Sequence, residues 1–126
     1  MTDIVRRNID SLRETMRQLG IVVAEVDKDL RYVWIDNPHP DFTPEMAIGK
    51  RDDELIPKGE AAELIALKQE ILDTGQPAKR VLKFDRSDGT HIYLVDGHPI
   101  VDARGRTEGV ITLGFEITPS QVKVMP

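Results

Sequence analysis

The 126-residue chain reads as a single α+β domain. Three observations carry that assignment. An amphipathic helical seam opens the chain, an interrupted helical stretch fills its middle, and the rest consists of β-branched and aromatic runs separated by tight-turn residues. The order is helix, two strands, several short helices, one longer helix, three strands.

The first helix rests on Val5, Ile9, Leu12, Met16 and Leu19, which recur at steps of four, three, four and three. Arg6, Arg7, Asp10, Arg13, Glu14 and Arg17 fill the opposite side. Thr2 can cap it, Asp3 complements the positive end of its dipole, and Gly20 stops it. Ile21 to Val26 and Arg31 to Asp36 then form two strands around the turn Asp27-Lys28-Asp29. Asn37-Pro38-His39-Pro40 ends the second strand, because neither proline can donate to a ladder.

Thr43-Pro44-Glu45 is a helix start, with the hydroxyl as cap and the proline at the first helical position. Gly49 ends that turn, and Asp52 starts another short one that Pro57 closes. A longer helix runs from about Glu60 to Thr74 on a stripe of Ala61, Leu64, Ile65, Ile71 and Leu72, and Gly75 and Pro77 terminate it. Ala78 to Asp85, Thr90 to Val101 and Gly109 to Ile117 are the last strands, joined by turns at Ser87-Asp88-Gly89 and at 102–106.

Composition excludes several function classes. Hydrophobic residues are 40% and charged residues 31%, a globular balance. The apolar runs span only a few residues, against about 20 for a membrane span. The charges spread through the first 19 residues are not those of a secretory leader, and a cytoplasmic location is expected. No cysteine occurs, so disulfides, thiolate metal sites and cysteine nucleophiles are ruled out. A net charge of −5 argues against a nucleic-acid surface.

Tyr32-Val33-Trp34-Ile35-Asp36-Asn37-Pro38, Ile48-Gly49-Lys50, Glu54-Leu55-Ile56-Pro57 and Thr74-Gly75-Gln76-Pro77 follow in order along the chain. Asp88-Gly89, Pro99-Ile100-Val101-Asp102 with Gly105, Gly109-Val110 and a closing Glu116-Ile117-Thr118 complete the series. With these motifs the chain, from about Leu19 to Thr118, resembles a PAS domain, the sensory module of many bacterial signalling proteins. Glu116 departs by one methylene from the aspartate usual in the last triplet. The Asn-Pro-His-Pro stretch is similar to PAS domains of an atypical branch of bacterial sensor histidine kinases.

The resemblance implies a five-stranded antiparallel sheet, short helices over one face, and a small-molecule pocket between. Residues 1–19 would then be an N-terminal helix on the other face, 20–118 the PAS-like domain, and 119–126 a linker or tail. Register with the family turns Gly114 toward the pocket, where flavin-binding members carry a chromophore-contacting amide. Strand alternation then places Val110 and Thr112 inward with it. Tyr93, Val95 and Gly97 face inward from the long strand, and Val33, Ile35 and Asn37 from the second. Tyr32, Trp34, Leu94, Leu113 and Phe115 face outward, and Trp34, Leu94, Leu113 and Phe115 together make an apolar patch that the first helix, a second subunit, or both should cover. A homodimer through Val5, Ile9, Leu12 and Met16 or through the outer face is expected.

Gly97 and Gly114 leave inner volume that either a ligand or helix side chains such as Leu64 and Ile65 must fill. With a ligand, Asn37, Tyr93 and Thr112 are the polar groups available to orient it among Val33, Ile35, Val95 and Val110, a usual pocket composition. His39 is a fixed loop residue or a ligand contact at the pocket mouth, and His91 a solvated residue after a hairpin turn. His98 shares a strand face with Asp96, but two ligands without a third make a poor zinc site. Haem-binding members take an axial histidine from the longer helix, which here has none, and a flavin–cysteine adduct needs the missing thiol. No phosphate loop, zincin or nucleophile-elbow motif occurs. The expected function is therefore non-enzymatic: a sensory and dimerisation module that regulates an attached or partner effector such as a histidine kinase. A ligand-free interaction domain is the alternative, and a small cone-shaped α+β isomerase-like enzyme a remote one.

Overall fold

The computed structural model describes residues 2–118; the expected tail at 119–126 lies outside them. The elements are α1 (Asp3–Gln18), β1 (Ile21–Asp27), β2 (Tyr32–Asp36), α2 (Pro44–Ala47), a single 3-10 turn (Asp52–Glu54), α3 (Lys58–Thr74), β3 (Ala78–Arg86), β4 (Gly89–Val101) and β5 (Thr107–Ile117). All five strands join one antiparallel sheet in the order β2-β1-β5-β4-β3. The α+β architecture is as expected, and its helical caps match: Thr2 accepts from Val5 N–H and Thr43 from Met46 N–H, with Pro44 opening α2.

The core lies between the inner face of the sheet and α3. Leu64, Leu67 and Ile71 of the helix meet Ala24, Val26, Leu82, Phe84, Val95 and Val110 of the strands. Gly97 is the seat of the closest approach. A Cβ there would lie 2.5 Å from Ile71 Cδ1, so the helix side chain already occupies that space. Gly97 therefore opens no free volume, a correction to the expectation that it would line a pocket.

Strand β2 departs from simple alternation. Its register with β1 runs Glu25↔Trp34 and then Val26↔Tyr32, with an irregularity that skips Val33. A bulge of this kind exchanges faces for everything on one side of it. Tyr32 is consequently buried at 8% exposure, whereas Val33 is 46% exposed. Two placements are corrected: Tyr32 faces in, and Val33 faces out. Trp34 faces out as expected and donates from Nε1 to Glu25 Oε1 at 3.1 Å.

Helix α1 is tethered to the sheet rather than sunk into it. Arg13 and Arg17 both reach Asp36 Oδ1, at 3.5 and 2.7 Å, and the Arg17 hydrogen bond holds the Asp36 carboxyl below its ordinary value. Val23 on the same face is buried outside the main core cluster. Yet no residue of α1 is buried; Val5, Ile9 and Leu12 remain 45, 41 and 61% exposed, and Met16 is half-buried. Leu94, Leu113 and Phe115 are likewise half-buried. The apolar seam is left open along most of its length in a single chain.

Candidate functional site

A cavity of about 130 Å³ opens between the sheet, α3 and the segment that follows β2. Of the residues expected there, Ile35, His39, Tyr93, Val95, Thr112 and Gly114 line it. Val33 does not, for the reason given by the bulge. Asn37 does not either: with φ at 61° it turns away, and its side-chain amide donates to the Ile21 carbonyl at 3.1 Å. Val110 is buried in the core without reaching the cavity wall. At Gly114 a Cβ would meet only ordinary contacts, 3.6 Å from Tyr93 and from Val22.

One wall is polar in a way that strand alternation could not reveal. Lys68 of α3, 1% exposed, donates from Nζ to Asp52 Oδ2 at 2.7 Å and to Tyr32 Oη at 3.0 Å. Tyr32 in turn donates to Asp52 Oδ1 at 2.6 Å. The ammonium also stands over the Tyr32 ring, 4.4 Å from its centroid. Burial pushes Lys68 below the ordinary lysine value, while the Asp52 charge and hydrogen bond oppose that shift. Burial likewise holds the Tyr32 hydroxyl well above its ordinary value, reinforced by the Asp52 charge. All three groups border the cavity. One signal for this triad exists in the sequence: Lys68 interrupts the apolar stripe Ala61, Leu64, Ile71 at helical spacing. Asp52, by contrast, looks like an ordinary first-turn acid.

Beside the His39, Phe42 and Arg86 part of the cavity lining, a polar clasp ties two segments together. The loop after β2 carries His39, Asp41 and Phe42, and the β3–β4 turn carries Ser87 and Asp88. Asp41 accepts from both the backbone N–H and the hydroxyl of Ser87, and the Arg86 guanidinium lies 5.0 Å from the Phe42 ring centroid. His39 Nε2 lies 2.8 Å from Asp88 Oδ1, and His91 Nε2 lies 2.7 Å from the same oxygen. The other ring nitrogen of His91 contacts Glu116 Oε1. His91 is half-buried, which corrects the expectation of a solvated residue, and its carboxylate partners raise its pKa above the ordinary histidine value. Inward alternation extended from Tyr93 to His91, and from Gly114 to Glu116, would have found this pair. His98 stays at the surface, 3.2 Å from Asp96.

Among the described residues no helix is long and apolar enough to cross a membrane. A family model described as PAS fold matches residues 16–122. Histidine kinase 5 of Arabidopsis thaliana is 30% identical over 124 residues, 98% of this chain, which spans only 13% of that kinase. Two solved structures share the fold. A sensory box sensor histidine kinase from Vibrio cholerae superposes with a TM-score of 0.67 at 19% identity, over 92% of this chain and 97% of the other. The Vibrio cholera VqmA–ligand–DNA complex does so with a TM-score of 0.73 at 21% identity, over 87% of this chain and 51% of the other.

Proposed function

This chain belongs to the PAS-fold family, and from that premise we propose that it senses a small neutral molecule and relays its presence to a histidine kinase. The observation that carries this reading is the cavity of about 130 Å³, with an apolar lining and one hydrogen-bonding wall at Tyr32, Asp52 and Lys68. Engineered cavities of roughly 150 Å³ admit benzene, so a single-ring compound matches the space. A few convergent polar groups in an apolar site are what orients such a ligand. In this reading Ile35, His39, Tyr93, Val95, Thr112 and Gly114 form the contact surface with that wall, and residues 20–118 are the sensing unit. The module contributes no catalysis itself. The kinase association draws on the sequence relative in Arabidopsis thaliana, and ligand occupancy is the kind of state that the Vibrio cholera complex names for its own protein.

Gly114→Leu tests the reading directly. The Cβ fits at ordinary contact distance, and the remaining carbons enter the cavity. The variant is expected to melt as high as the wild type or higher, since filling a hole can stabilise a domain. Native mass spectrometry should then show a small molecule retained by the gently purified wild type and absent from the variant. A markedly lower melt, with nothing retained by the wild type, would leave an interaction domain without a ligand.

The open seam of α1 favours a second element of the same function, dimerisation with another copy of this chain. Val5, Ile9 and Leu12 stay at 41% exposure or more, and their spacing is that of a coiled-coil seam. Leu12→Asp, which leaves the Arg17–Asp36 tether in place, should shift the mass in sedimentation equilibrium from dimer to monomer. A wild type that remains monomeric at high concentration removes this element and leaves the sensing one untouched.

A further inference from the structure

We propose that His39, His91 and Asp88 form a binding site for a first-row divalent cation such as Zn²⁺ beside the cavity that His39 lines. Three separate elements bring the ligands together: the loop after β2, the β3–β4 turn and strand β4. Their donor atoms all lie within 4.8 Å of one another. Both imidazoles aim the same nitrogen, Nε2, at a single point now occupied by Asp88 Oδ1, at 2.8 and 2.7 Å. Zinc takes histidine nitrogen at about 2.0–2.1 Å and carboxylate oxygen at about 2.0–2.2 Å. An ion at that point needs each ring to advance by about 0.7 Å and the Asp88 carboxylate to swing aside as third ligand. Asp88 is free to do so, because its side chain is 58% exposed on a hairpin turn.

The surroundings supply what such ligands require. A metal-bound histidine characteristically has its other ring nitrogen oriented by a carboxylate or carbonyl. Here the second nitrogen of His91 contacts Glu116, and that of His39 lies 3.6 Å from Asp41 Oδ1. At present His39 Nδ1 accepts from the Asp41 backbone N–H at 3.0 Å. With a cation on Nε2 the ring proton moves to Nδ1 and turns to the Asp41 carboxylate instead. His91 gives up its Nε2 proton to solvent and keeps the one facing Glu116. Three carboxylates, Asp41, Asp88 and Glu116, then surround the cation, with two neutral imidazoles as nitrogen donors. Two imidazoles and a carboxylate suit zinc and its first-row neighbours rather than magnesium or calcium. Three protein ligands leave a position open beside the cavity that His39 lines. The Asp96–His98 pair has no comparable third ligand within the described residues.

The experiment is a calorimetric titration of the untagged chain with Zn²⁺, repeated with Co²⁺ as a spectroscopic probe. One ion per chain is expected, with a visible Co²⁺ absorption band of low-coordinate type. His39→Ala and His91→Ala should each abolish stoichiometric binding, while His98→Ala leaves it unchanged. Glu116→Gln keeps all three ligands and should weaken binding by about 10- to 100-fold. Circular dichroism establishes that each variant is folded, and His39→Gln replaces His39→Ala should the smaller side chain unfold the loop. A wild type that takes up no ion at millimolar Zn²⁺ would show the cluster to be a clasp of hydrogen bonds alone. Binding that survives the double His39→Ala, His91→Ala substitution, or that disappears with His98→Ala, equally overturns the proposal.

Discussion

Asp52→Ala is expected to lower the free energy of unfolding by about 3–5 kcal/mol, the usual cost of leaving one member of a buried pair without its partner. Lys68 Nζ would keep only Tyr32 Oη, at 3.0 Å, as its hydrogen-bond partner while remaining 1% exposed. The pH dependence has a definite sign. Burial already lowers the Lys68 pKa, and Asp52 is what opposes that shift. Without Asp52 the folded-state value falls further below the unfolded one, so folding expels a proton and stability rises with pH. The deficit of the variant should therefore narrow as pH approaches the ordinary lysine value of 10.5. Urea unfolding at several pH values measures this. A deficit below about 1 kcal/mol, or one that widens with pH, would contradict the buried-pair account. Replacing both charges, as Asp52→Leu with Lys68→Met, should recover most of the loss, because a well-packed apolar substitute is often neutral or stabilising. If the double variant is stable yet retains no small molecule, the pair serves recognition rather than stability.

Gly109→Ala should be the second large effect, and its cause is the backbone. A Cβ at this position would stand 2.5 Å from the Val26 carbonyl oxygen and 3.7 Å from Asp27 Cα. Gly109 pairs with Asp27 on one side and Ile100 on the other, so neither neighbour can yield without opening a ladder at the centre of the sheet. Overpacking typically costs about 1–3 kcal/mol, and a rigid backbone obstacle puts this case at the upper end. Hydrogen exchange of the β1–β5 amides near Val26 and Val110 should quicken most. The contrast with Gly114 is informative: there the neighbours stand at 3.6 Å, so Gly114→Ala should melt within about 1 kcal/mol of wild type. A Gly109→Ala protein as stable as Gly114→Ala would show the β1–β5 contact to be more pliable than the sheet geometry indicates.

The long strands are legible where they line the cavity, because alternation is unbroken there and the one register shift, at Ile100–Val101, lies beyond it. Tyr93 and Val95 on β4, and Thr112 and Gly114 on β5, lie on the cavity wall where period two puts them. Strand β2 is not legible ahead of Trp34, since a bulge moves Tyr32 inward and leaves Val33 outside. Nothing in the composition of Tyr32-Val33-Trp34 marks that extra residue. The polar wall failed for a different reason. Asp52 and Lys68 are 16 residues apart and acquire meaning only when α3 lands over the 3-10 turn. At Gly97 the sequence leaves a ligand and a helix side chain as alternatives, and Ile71 of α3 is the group that reaches it. Residues whose partners lie along the same strand could be placed; those whose partners arrive from another layer could not.

The strand order has an architectural consequence. Ile21, at the head of β1, is paired directly with Phe115, near the end of β5, so the strand that opens the sheet lies beside the strand that closes it, about 4.8 Å away. Units whose ends lie this close can be spliced into a longer polypeptide without separating the segments on either side. The intervening 93 residues, from Val22 to Gly114, hang from that junction like a bead clipped onto a thread. A longer chain can thus acquire or shed the whole domain while its own path stays nearly unchanged. Any rotation between β1 and β5 acts directly on the Ile21–Phe115 pair.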